Sequence, residues 1–227
     1  YNIMSFGNME KEYGKNPVLE YIRASNADIV CLQEHNVSST AKIHLNAKEV
    51  EKGMKAYPYR HIQRVGKEIS NNRIAIYSKY PILSARELQY ESSYNGSAIY
   101  ELKVNEDTIT LINNHLESNK LTKEDKVVYE EMLKDPNAHK VKSGTRHLVG
   151  KLAEASAIRS KQADVIAAEI AKSRHPYIIV CGDFNDTAIS YTHRVIAENL
   201  DDAFTESGQG LGISYNQNKF YFRIDNI

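Results

Sequence analysis

Apolar and polar positions along the chain follow two periods, and the changes of period mark the elements. Tyr1–Phe6 (YNIMSF) alternates like a strand. Pro17–Ser25 has helical spacing, with Val18, Leu19 and Ile22 on one side. Asp28–Leu32 (DIVCL) is rich in β-branched residues, the pattern of a strand covered on both faces. Arg73–Tyr77, Ile82–Tyr90, Ala98–Val104 and Thr108–Asn113 follow closely, punctuated by Asn95-Gly96 and Asn105–Asp107. They predict an antiparallel β meander. A charged stretch, Leu121–Lys142, precedes the longest helical pattern, His147–Ser173, in which Leu148, Leu152, Ala155, Ile158, Val165, Ile166 and Ile170 would cover a sheet. Tyr177–Cys181 reads as a second buried strand that stops at Gly182, and short strands at Ile213–Tyr215 and Phe220–Ile227 follow. There is no internal repeat, low-complexity tract or Pro/Gly/Ser linker. The pattern predicts one α/β domain over residues 1–227, two packed sheets with helices outside.

Composition narrows the function classes more than the fold. Lys and Arg (29) balance Asp and Glu (29), and 41% of residues are hydrophobic, which excludes a disordered chain. A pI near 7.2 offers no basic face for a broad grip on nucleic acid, although a small basic pocket stays open. Lys120, Lys123, Lys126, Lys140 and Lys142 are interleaved with Glu117, Glu124, Asp125, Glu130 and Glu131, the pattern of a solvated helix face. No apolar run approaches the roughly 18–20 residues of a membrane span, and no leader-like segment opens the sequence. A soluble domain is expected, with the compartment open and an extracytoplasmic location included. Cys31 and Cys181 sit in apolar runs without a CxxC pair, so structural thiols are expected rather than a zinc site or disulfide framework.

Four strand ends carry chemistry. Cys31-Leu32-Gln33-Glu34 finishes in a carboxylate, and Gly182-Asp183-Phe184-Asn185-Asp186 in acid-x-amide-acid. Asn113-Asn114-His115-Leu116 ends a third strand, with a histidine able to donate to phosphate or move a proton. In Arg223-Ile224-Asp225, the two charges share a face opposite Ile224. Carboxylates and amide oxygens without His or Cys partners suit a hard cation such as Mg²⁺. Each feature has a plainer explanation: a cap or turn at Glu34, a core histidine, a cross-strand Arg223–Asp225 ion pair, an Asx turn at Asp183. Their joint occurrence at separate strand ends favours one shared site, because ligands of α/β folds gather at carboxyl ends of strands.

In this order, IMSF, DIVCLQE, IAIYSKYPI, NNHLES, a helix with Arg159 and Gln162, IIVCGDFND and FRIDNI resemble the endonuclease/exonuclease/phosphatase superfamily, of deoxyribonuclease-I-like fold. The resemblance runs over essentially the whole chain, and GDFND and CLQE are its most specific pieces. It implies a four-layer α/β sandwich and a Mg²⁺-dependent hydrolase of phosphate esters, with Mn²⁺ as a substitute. Glu34 is then the metal-binding glutamate and Asp183 the acid that orients and deprotonates the attacking water. Asn185 would hold that water and the phosphate, His115 would bond a phosphate oxygen, and Asn114 and Arg223 would add phosphate contacts. Asp225 would orient a second, catalytic histidine.

Two departures from the family pattern matter. The family asparagine follows the aromatic residue of the first strand. Here Phe6 is followed by Gly7, and Asn8 comes one place late, so either Asn8 takes that metal-side role through a bulge or residues are missing between Phe6 and Gly7. The Ser-Asp-His segment that supplies the family's second histidine does not follow Asp225. A longer native chain with a further C-terminal strand is therefore expected. The alternative is a catalytically impaired member that binds a phosphate ligand. The superfamily includes nucleases, DNA-repair phosphodiesterases, inositol-polyphosphate phosphatases and sphingomyelinases, so a small molecule, lipid headgroup or nucleic acid all remain candidate substrates. No obligate protein partner is indicated, and a monomer is expected.

Overall fold

Strand alternation sorts the apolar side chains into three cores, and the three cores separate four layers. The computed structural model describes residues 1–8, 15–37, 45–67, 70–134, 139–216 and 221–227. β1 (Ile29–Leu32), β2 (Tyr59–Arg64) and β3 (Arg73–Ser78) form a three-stranded antiparallel sheet in the order β1-β3-β2. β4 (Ile82–Glu87), β5 (Gly96–Val104), β6 (Asp107–His115), β7 (Tyr177–Asp183) and β8 (Asp225–Asn226) form a five-stranded sheet in that order. Only its β6–β7 pair is parallel.

On β3, Ile74 and Ile76 face the space between the sheets, where Tyr100, Leu102 and Leu111 meet them. Ala75 and Tyr77 face the other way, into a core shared with α1 (Pro17–Ser25) and α2 (Ala47–Gly53). On the far side, Ile112 and Val180 pack against Ala163 and Ile166 of α4 (His139–Lys172). Neighbours such as Leu111 and Ile112 thus serve different cores, as the pleat requires.

Local signals place several boundaries. α1 starts where Asn16 accepts hydrogen bonds from the backbone N–H groups of Val18 and Leu19, with Pro17 in the first turn, and it ends at Asn26 in a left-handed conformation. Left-handed Asn105 closes the tight β5–β6 turn.

Four expectations need correction. Tyr1–Phe6 is not a regular strand: Asn2 alone bridges to Gln33, and Met4, Ser5 and Phe6 take positive φ before a 3₁₀ turn at Phe6–Asn8. Ile3 and Phe6, three residues apart, both enter the α1 core, which a turn permits and alternation does not. The predicted meander is divided. β3 is covered on both faces and takes the centre of the first sheet, whereas β4 alternates and forms an edge of the second. The long helix starts at His139, ahead of His147, and α3 (Lys123–Lys134) forms within the charged stretch. Ile213–Tyr215 contributes only a bridge from Tyr215 to Phe222, and Phe220 lies outside the described residues. No described helix is long and apolar enough to cross a membrane.

Candidate active site

The crossover through α3 and α4 returns β7 parallel to β6, and that pairing sets His115 directly beside Asp183. Antiparallel β8 sets Asp225 on the other side of Asp183. Three candidate residues therefore stand in a row across three strand ends. Gly182 makes the close approach feasible. Its φ is +136°, and a Cβ there would lie 2.0 Å from the carbonyl oxygen of Asn114 on β6. Glu34 arrives from the facing sheet. Just before it, Gln33 donates to Asn113 Oδ1 at 2.6 Å, and Asn113 donates to the Ala75 carbonyl at 3.1 Å, a buried amide bridge between the sheets.

The polar atoms then converge. Asn2 Nδ2 donates to Glu34 Oε1 and to Asp183 Oδ2, both at 3.0 Å. His115 Nε2 lies 3.9 Å from each of those oxygens. Glu34 and Asp183 thus share one pocket of contacts although far apart in sequence. His115 Nδ1 meets the amide nitrogen of Asn72 at 3.4 Å, and the same nitrogen donates to the Tyr94 carbonyl. With Asn72 as donor, Nδ1 is the acceptor, which leaves the ring proton on Nε2, facing the carboxylates.

Burial controls the charges. It lowers the His115 pKa to about 4, against the pull of the Glu34, Asp225 and Glu117 carboxylates, so the ring is neutral at physiological pH. Burial also raises the Asp183 carboxyl, opposed by hydrogen bonds from Asn2 and from the Asn185 backbone. Asp225 is raised by burial and then by the neighbouring Asp183 charge. Its Oδ1 is buried without a hydrogen-bond partner among the described residues.

Asn185 sits in a left-handed conformation (φ 50°), with its N–H on Asp183 Oδ1 and its side-chain amide on the Leu116 carbonyl. The Asx turn foreseen as a plain alternative is present, and the same carboxylate also faces Asn2. Two other candidates are not brought to the site. Asn114 is fully buried between Ser97 and the Cys181 carbonyl, on the face of β6 opposite His115. Arg223 forms a bidentate pair with Asp202 at 2.7 and 2.6 Å and lies 5.0 Å from the Phe204 ring centroid, so Asp225 is not its partner. The Asn8 backbone closes the 3₁₀ turn, and its side chain lies outside the described residues. Asn2 is the residue that sequence reasoning misses. A signal for it exists, because Tyr1-Asn2 is itself an aromatic–asparagine pair at the chain's first bridge.

No group of three or more His, Cys, Asp or Glu side chains arranged to hold a metal ion occurs among the described residues. The Glu34 and Asp183 carboxylates meet at Asn2 Nδ2, with the orphaned Asp225 oxygen nearby, and Mg²⁺ needs only one or two protein carboxylates beside its waters. The residues therefore fit a hard cation. A cavity of about 870 Å³ beside residues 177–180 is lined by none of Asn2, Glu34, His115 or Asp183. Convergent polar atoms, not enclosure, define the site. The two cysteines are free, Cys181 buried and Cys31 half-buried.

A sequence profile described as the Endonuclease/Exonuclease/phosphatase family matches residues 1–227. Among curated proteins no sequence matches. Solved structures share the fold at low identity. A humanized D. rerio TDP2 superposes with a TM-score of 0.58 at 14% identity, over 100% of this chain and 79% of that one. The human Nocturnin catalytic domain, solved with a bound sulfate anion, gives 0.52 at 13%, over 92% and 71%. Sphingomyelinase C from Streptomyces griseocarneus gives 0.52 at 18%, over 82% and 62%.

Proposed function

The chain belongs to the endonuclease/exonuclease/phosphatase family, and from that premise we propose that it is a divalent-metal-dependent hydrolase of phosphate esters. The observation that carries the proposal is the shared contact of Glu34 and Asp183 with one amide of Asn2, 3.9 Å from His115 Nε2. Glu34, oriented by the Asn2 amide, would hold Mg²⁺ or Mn²⁺, which when bound stabilises charge developing on phosphate oxygens. Asp183 takes the proton of the attacking water. The fixed Asn2 and Asn185 contacts keep that carboxylate in one orientation. His115, neutral with its proton on Nε2, donates to a non-bridging oxygen without bringing a full charge. Asp225, beside Asp183 with an unpartnered oxygen among the described residues, would accept a hydrogen bond from a further donor at the leaving-group side. A phosphodiester or phosphomonoester of small size fits the charge balance of the chain as well as a nucleic acid does.

The test is hydrolysis of bis-p-nitrophenyl phosphate and a panel of phosphomonoesters with Mg²⁺ or Mn²⁺, beside Asp183→Ala and Glu34→Gln. Removal of the general base should lower the rate by about 10²–10⁴-fold. Mg²⁺ should raise the melting temperature of the parent protein and not that of Glu34→Gln, since a ligand of the folded state alone stabilises it. Activity that is absent, or unchanged in Asp183→Ala, refutes the proposal.

A further inference from the structure

Behind the site, α4 presents Arg159 and Gln162, three residues apart and on one helical face, to the loops that leave β6 and β7. Both side chains are buried. Arg159 Nε donates to Asp186 Oδ2 at 3.0 Å, and its Nη1 donates to the Glu117 carbonyl at 2.9 Å and to Asn119 Oδ1 at 2.8 Å. Gln162 Oε1 accepts from the Glu117 N–H at 2.9 Å. One face of α4 therefore grips both backbone groups of Glu117. The network continues into the site: Asn119 donates to the Asn185 carbonyl at 3.4 Å, and Asn185 Nδ2 donates to the Leu116 carbonyl at 3.0 Å.

These two loops begin directly after His115 and Asp183. Their one direct backbone bond runs from Leu116 N–H to the Asp183 carbonyl at 2.9 Å. Asn185 takes a left-handed φ that asparagine readily adopts, and it is fixed by its N–H on Asp183 Oδ1 and its side-chain amide on the Leu116 carbonyl. Beyond the Leu116–Asp183 backbone bond, which continues the β6–β7 ladder, side chains set the spacing between the loops.

We propose that Arg159 and Gln162 are positioning residues, a guanidinium and an amide on one helix face that lock the loops leaving His115 and Asp183 against each other and so fix Asn185 beside those two strand ends. The guanidinium suits the task because its planar fork reaches acceptors on two loops at once, whereas a lysine ammonium is a point donor. The kinetic consequence rests on the hydrolase proposal above; the geometric one does not.

The experiment compares Arg159→Met, Arg159→Lys and Gln162→Met with Ile166→Ala, a packing control on the same helix. Two readouts are taken well below each melting temperature. One is the Asn185 side-chain amide resonance in a ¹H–¹⁵N spectrum, identified by its loss in Asn185→Asp; the other is kcat and KM for bis-p-nitrophenyl phosphate. Arg159→Met should move the Asn185 resonance and cut kcat by about 100-fold, the scale of a displacement near 1 Å, with KM within about threefold. Arg159→Lys should recover only part of kcat, and Ile166→Ala should lower the melting temperature while leaving both readouts in place. The proposal is overturned if the Asn185 resonance stays put in Arg159→Met, or if Ile166→Ala loses as much kcat. Should Arg159→Met fail to fold, Arg159→Lys and Gln162→Met carry the same two readouts. A parent protein that hydrolyses no ester sinks the hydrolase proposal alone, and the Asn185 resonance then decides this one by itself.

Discussion

Gly182→Ala probes the close approach on which the site depends. The added Cβ would lie 2.0 Å from the Asn114 oxygen, 2.7 Å from its nitrogen and 2.8 Å from its carbonyl carbon, all backbone atoms of the neighbouring strand. No side-chain rotation relieves such contacts, so β7 must retreat from β6 by roughly 1.4 Å or more to reach ordinary van der Waals distance. The φ of +136° costs a non-glycine residue about 1–3 kcal/mol. Retreat also weakens one or two ladder hydrogen bonds, each worth about 0.5–1.5 kcal/mol net. Together these predict a loss of about 1.5–6 kcal/mol. In a chain of this size each kcal/mol lowers the melting temperature by about 2–4 °C, hence a drop of about 3–24 °C. Urea and thermal unfolding of the two proteins measure it. Asp183 follows the substituted residue and pairs with His115, so activity should fall with stability. A loss below about 1 kcal/mol would refute the strand spacing on which the site is built.

Two further outcomes follow from the charged groups. Arg223→Met should cost about 1.5–3 kcal/mol near neutral pH, the range for a charge-assisted contact, and leave KM unchanged, because Arg223 is committed to Asp202. The guanidinium holds the Asp202 carboxyl well below its usual range, with His193 adding to the effect. A depressed carboxyl stabilises the fold above the unfolded value near 3.9 and loses that contribution as pH falls further, so acid unfolding below about pH 4 should be shallower in Arg223→Met. Unchanged stability with a raised KM would instead make Arg223 a substrate contact. His115, lowered to about 4, should stay neutral at pH 6 in an imidazole NMR titration. Its contribution is complete above the unfolded value near 6.5 and declines as pH falls toward 4, since the unfolded chain then binds the extra proton. A midpoint at 6 or above would contradict its burial.

Much of this architecture is legible residue by residue. Asn16, Pro17 and Asn26 bound α1 because capping is satisfied within a few residues. The alternation of Leu111 with Ile112 already separates two cores. The same alternation places Asn114 opposite His115, so the strand period alone argues against Asn114 as a phosphate contact. Glu34, His115 and Asp183 are conspicuous because each ends an apolar strand. Asn2 escapes notice because its run alternates like a regular strand, and because Phe6, which turns inward, imitates the aromatic marker of the family.

Helix ends, the inward and outward sides of the strands and the acids at their tips can all be read from residue order, since each rests on interactions within one turn or one pleat. Packing in three dimensions was needed to send β3 and the following β4 to different sheets, to commit Arg223 to Asp202, and to set Asn2 between Glu34 and Asp183. A hydrogen bond or ion pair acts over a few ångströms, and a partner 21 or 181 positions along the chain comes within that range only once packing has closed the intervening loop.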